Sequence, residues 1–175
     1  RRAPGGAAVP RMHLIVRQYR QNLQTGAGIL DAVKKYDLVL SNGHISPVET
    51  IDLFEKAIAM GIKPERCMVE HPNSDPAYKM DHMKAIAALG AYLNISYNAI
   101  NPMFAGRHPK EGADIVKEVG AKQCTIITDG GQHTSPGPAE GMRVFCNMFM
   151  QLGVSRDEID LMIKTNPAKI LGLDS

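Results

Sequence analysis

The chain has 175 residues, enough for one domain with a substantial core. Apolar residues make up 44% and charged residues 22%, and the net charge of +2 comes from interleaved acids and bases, so the clustered basic surface that nucleic acid requires is absent. No apolar run approaches the roughly 18 residues of a membrane span. The three cysteines lack CxxC spacing and do not make a disulfide framework, which points to a reducing, cytoplasmic setting.

Residues 1–27 are rich in Arg, Ala, Gly and Pro and contain no secretory h-region, so they read as an irregular leader. From Gly28 onward the pattern is regular. "GILDAVKKYD" carries helical spacing at Ile29, Ala32 and Val33 and runs into the β-rich "LVLSNG". Ser46 and Glu49 then form a capping box with Pro47 at the first helical position. The helix that follows places Val48, Ile51, Phe54 and Ile58 on one face, and Gly61 ends it.

The same unit recurs without sequence repetition. "RCMVEHP" is a second strand ending at His71; Ser74, Asp75 and Pro76 offer the next helix start, and Gly90 its stop. "AYLNIS" is a third strand, followed by the helix "KEGADIVKEVG", and "KQCTIITDGGQ" is a fourth strand ending at Asp129. "PAEGMRVFCNMFMQLG" is a helix in which Met142, Met148 and Met150 read as core filler. Ser155 and Glu158 make a second capping box, and Asn166 with Pro167 starts the closing helix "NPAKILGL". Strand onsets near residues 37, 66, 91 and 123 mean parallel crossovers and an α/β sheet covered by helices. Both an open doubly wound sheet and part of a (β/α)8 barrel fit, and in either one the functional groups belong at the carboxyl ends of the strands.

Those ends carry His44, His71, Ser96 with Tyr97 and Asn98, and Asp129. Two imidazoles and a carboxylate on one rim suit a divalent transition metal, with the aspartate also able to act as a base toward bound water. His133 in the loop after Asp129, and Arg107 and His108 in the loop after the third strand, are candidates for substrate contact. His82 has a surface role, and alternation along the strand turns Glu70 away from the side of His71. Cys67 and Cys124 are buried thiols within strands. "TDGGQHTSPGP" matches neither GxGxxG nor a Walker motif, so nucleotide binding is the weaker alternative. The sequon at Asn94 lies in a buried strand and is discounted.

With these residues placed, "LVLSNGHISPVET", "VEHP", "TIITDGGQ", "SPGPAEGMRVF" and "IKTNPAKILGL" together resemble the C-terminal half of a metal-dependent hydrolase of the amidohydrolase superfamily, with a likeness to its uncharacterised DUF6282 group. The resemblance implies a truncated (β/α)8 barrel over residues 28–175, carrying about strands five to eight, with residues 1–27 a leader or a remnant of upstream barrel. It implies metal ligation by His44, His71 and Asp129 and a catalytic role for Asp129, with zinc, manganese or iron activating water against an amide, ester or lactone bond of a small molecule. The superfamily's first-strand His-x-His pair and its strand-four lysine have no counterpart here. The implied partners are a second copy of the chain or a missing N-terminal half-barrel. The alternative is an inactive fragment serving as a metal-binding, ligand-binding or assembly module.

Overall fold

In the computed structural model, residues 27–173 are described, and the expected leader lies outside them apart from Ala27. The chain divides into two units, residues 1–38 and 39–175. In the first, helix α1 spans Ala27–Lys35 with Leu30 and Val33 buried, whereas Ile29 is exposed.

The second unit alternates strands and helices: β1 (Leu40–Ser41), α2 (Pro47–Ala59), β2 (Cys67–Val69), α3 (Met80–Ala88), β3 (Tyr92–Ser96), α4 (Pro109–Val119), β4 (Cys124–Ile127) and α5 (Pro138–Gln151). The four strands form one parallel sheet in the order β1-β2-β3-β4, following the chain without reversal. Consecutive helices pack on each other, α2 on α3, α3 on α4 and α4 on α5, so they form a single layer. Gly112 of α4 marks a close approach. A Cβ there would stand 2.9 Å from Phe149 Cζ and 3.1 Å from Ile95 Cγ2, so glycine lets α4 approach both β3 and α5. Ile95 therefore faces the helices, and alternation sends Tyr92, Asn94 and Ser96 to the opposite face of the sheet.

The helix starts follow capping chemistry. Ser46 Oγ accepts from the Glu49 N–H at 3.3 Å while Glu49 Oε2 accepts from the Ser46 N–H at 3.2 Å, with Pro47 opening α2. Ser155 and Glu158 repeat the box at α6 (Arg156–Asp160). Gly61 and Gly90 follow their helices at φ of 90° and 89°, a conformation that suits glycine.

Two local expectations are corrected. The buried face of α2 is Thr50, Leu53, Phe54 and Ala57, with Val48 61% exposed. The helix is turned toward Thr50 because that hydroxyl is bonded to the Ser46 carbonyl, to Tyr78 and to Asn42. The second predicted start is displaced: Asp75 Oδ1 accepts from the Ala77 N–H and its carbonyl from the Tyr78 N–H, closing a turn, and α3 begins only at Met80. Asn166 and Pro167 open the closing helix as expected. The chain runs from α6 through a π-turn (Leu161–Thr165) into α7 (Asn166–Leu171), and the buried Asn166 amide donates to the carbonyls of Ala121 and Cys124 at 2.8 and 2.6 Å.

Cys67 and Cys124 are buried as expected; all three cysteines are free, with Cys146 half-buried. Met150 of α5 is exposed rather than core. Among the described residues, no helix is long and apolar enough to cross a membrane.

Candidate functional site

His44 and His71 follow the ends of neighbouring strands, three residues after β1 and two after β2. Their ring centroids lie 4.8 Å apart, tilted by 35°. Asn42 holds the turn that carries His44. Its N–H reaches the Met68 carbonyl and its Oδ1 accepts from the Glu70 N–H at 2.9 Å, while its amide nitrogen donates to Tyr78 and Thr50. One asparagine thus ties the ends of β1 and β2 to the first turn of α2. Burial pushes the Tyr78 phenol up, so it stays a neutral member of this network.

Among the described residues, only three other than glycine have positive φ: Asp37, His71 and Asp129. His71 (φ 33°) and Asp129 (φ 49°) each follow the end of a strand. Backbone of this kind costs of order 1–3 kcal/mol per residue and concentrates where a side chain must be aimed. Aspartate and histidine are among the few non-glycine types enriched in this region, which is uncommon for any residue with a Cβ.

The loops between these residues are tied to one another. Asn73, two residues beyond His71, binds both backbone groups of Ser96 at the end of β3. The Asn98 N–H reaches the Thr128 carbonyl at 3.1 Å, and Ser135 and Asn101 both donate to Asn98 Oδ1. Asn101 Oδ1 accepts from the Met103 N–H, which fixes its amide nitrogen toward Asn98 and leaves Asn98 Nδ2 buried without a partner among the described residues.

The other expected residues separate from the histidine pair in role. His108 is the N-cap of α4: its Nδ1 accepts from the Lys110 N–H at 3.1 Å, and Glu111 reciprocates to the His108 N–H. Arg107 stands 3.7 Å from the same Glu111. His82 accepts from the Lys79 N–H at the start of α3, a capping role. His133 is exposed on the loop after β4. The Asp129 carboxylate is half-buried, and among the described residues nothing pairs with it.

Donor chemistry and donor number give different answers for a metal ion. Two imidazoles side by side are the nitrogen donors that zinc and similar ions take. Yet among the described residues no group of three or more His, Cys, Asp or Glu is placed to hold an ion together. The residues fit a metal as a two-nitrogen platform, not as a closed coordination shell.

Sequence reasoning passed over Glu70. The residue directly after β2, it accepts from Ser41 Oγ at 3.0 Å and from Asn94 Nδ2 at 2.9 Å, and Thr125 Oγ1 bonds to Asn94 Oδ1. Four consecutive strands or strand ends therefore contribute one polar row across the sheet face opposite the helices. A signal existed in the sequence: Ser41, Glu70, Asn94 and Thr125 are polar residues within or directly after mostly apolar strand segments. Asn94, 2% exposed, is consumed by this row, so its sequon sits within the sheet.

The model of a family of unknown function, DUF6282, matches residues 8–94, which include β1, β2 and both histidines. No curated protein matches the chain.

Proposed function

We propose that this chain carries a small-molecule hydrolase site of the amidohydrolase kind, with His44 and His71 holding a divalent metal, zinc first among them. The observation that carries the reading is the imidazole pair. Two imidazoles on one tetrahedral zinc, with Zn–N of about 2.1 Å, have ring centres roughly 5 Å apart, and here the separation is 4.8 Å.

A bound divalent ion supplies Lewis acidity and lowers the pKa of its water. In this reading the chain's own residues do the rest. The left-handed backbone at His71 and the Asn42 bridge hold the two rings at adjacent strand ends. Asp129, aimed by its own positive φ and unpaired among the described residues, accepts the proton of the attacking water on its carboxylate. His133 and Arg107 contact the substrate from the loops around the rim.

The architecture that accompanies this function is part of a (β/α)8 barrel. A doubly wound sheet reverses its strand order, whereas β1-β2-β3-β4 rises steadily, as barrel strands do. A second copy of the chain, or a further half-barrel, would then cover the outer edges of β1 and β4. Three free cysteines accord with a reducing compartment such as the cytoplasm.

The test is zinc titration by calorimetry on metal-stripped protein, with elemental analysis of protein as purified. Wild type is expected to bind zinc, and His44→Ala and His71→Ala are each expected to lose it; a wild type that binds none overturns the metal reading. Turnover on a panel of esters, lactones and amides, lost in Asp129→Ala, completes it. The second reading, a metal- or ligand-binding module without catalysis, is favoured by the missing third donor among the described residues. It is the outcome if zinc binds and no substrate turns over.

A further inference from the structure

We infer that the Glu70 carboxylate is a recognition group for a cationic nitrogen, an ammonium or guanidinium, on the ligand that enters this rim. The inference rests on the rim being the ligand-binding end of the sheet and not on any metal.

The argument starts from the carboxylate's partners. A carboxylate only accepts hydrogen bonds, so the Asn94 amide must turn its nitrogen toward Glu70 and its oxygen toward Thr125, as observed. Ser41 supplies the donor to the other carboxylate oxygen, and Asn42 holds the Glu70 N–H. Backbone and both oxygens are thereby fixed in position. Each oxygen has a second lone-pair direction, and no described residue fills either one.

Charge is the second part. Both donors to Glu70 are neutral, and no Lys, Arg or His among the described residues pairs with it. The half-buried carboxylate is thus held by neutral donors alone, with no cation of the described residues beside it. The strand-to-strand row does not need that charge. A glutamine oxygen can still accept from Asn94, though more weakly than a carboxylate, and the Ser41 hydroxyl can accept from the glutamine nitrogen. The negative charge is therefore surplus to the fold, on the residue that immediately precedes His71 at the strand end. A cation approaching the two unused lone pairs is the group that answers it.

Methylguanidinium chloride is the probe, added to full-length, EDTA-treated protein carrying 13C-labelled glutamate, with ionic strength held constant by NaCl. The Glu70 carboxyl resonance, assigned by its absence in Glu70→Gln, is expected to move saturably. The backbone amides of Ser41 and His71 are expected to move with it in wild type, and their apparent dissociation constant to rise at least about tenfold in Glu70→Gln. Because that variant preserves side-chain shape, an unchanged melting curve confirms that the row still forms. A non-saturating drift equal to that caused by NaCl overturns the inference, as does undiminished amide movement in Glu70→Gln. Saturation without zinc binding retains this site while removing the metal reading, and zinc binding without saturation does the reverse.

Discussion

Asn73 and Ser96 are joined by two hydrogen bonds of 2.9 Å, the amide nitrogen donating to the Ser96 carbonyl and the amide oxygen accepting from the Ser96 N–H. A side chain here does what a neighbouring strand does elsewhere in the sheet, and it fixes the loop that begins at His71. Asn73→Ala leaves two buried backbone groups of Ser96 unpaired, with an expected loss of about 2–4 kcal/mol in urea unfolding. Asn73→Asp retains the acceptor and should fall between the two. An unchanged midpoint in Asn73→Ala would show that the loop is held by other means.

At Gly112 an added Cβ would stand inside normal contact distance of both Phe149 and Ile95. Gly112→Ala is expected to destabilise by about 1–3 kcal/mol despite alanine's higher helix propensity. Pairing it with Phe149→Leu should recover part of the loss. If Gly112→Ala instead raises the melting temperature, propensity outweighs packing at this contact.

Acid sensitivity has an identifiable contributor at α6. Hydrogen bonds from the Ser155 N–H and hydroxyl hold the Glu158 carboxyl below its usual range. A depressed folded-state value means that the stabilisation is present above the unfolded carboxylate value of about 4.3 and is lost as pH falls through the folded one. Glu158→Gln should therefore lower stability near neutrality, and its curve should converge on wild type as pH falls below the folded value, which flattens the acid decline. Ser155→Ala removes the cap itself and is expected to cost about 1 kcal/mol at pH 7.

Thiol reactivity should divide the cysteines. Burial, with Glu65 adding to it, pushes Cys67 up to about 11, and burial alone takes Cys124 to about 12, so neither is a thiolate near neutrality. Cys146 is also raised by burial but is only half-buried. Iodoacetamide on native protein at pH 8 should label Cys146 first, with the other two reacting only after urea is added. Equal labelling of all three would mean that the strands open readily.

Much of the fold was legible because its signals are local. A capping box such as Ser46–Glu49 depends on residues three apart, and the alternation of apolar runs with amphipathic stretches reports strand, helix and parallel crossover. The helix faces were less legible: Val48 was assigned inward, yet α2 turns Thr50 inward to bond with Tyr78, a partner 28 residues away. Asn166 is the helix start its sequence context indicates, but the carbonyls its amide serves lie more than 40 residues away, beyond any local signal.

The candidate site divides along the same line. That His44, His71 and Asp129 stand at strand ends follows from sequence order, because parallel crossovers place all such ends on one rim. The tertiary structure alone decided that the two imidazoles lie 4.8 Å apart, that His71 and Asp129 adopt left-handed backbone, and that no third donor joins the pair among the described residues. It also made Glu70 the centre of a row built from four strands. Sequence specifies which groups reach the rim through short-range periodicity; which of them meet depends on strand register and loop closure, where a rotation of one residue changes every contact.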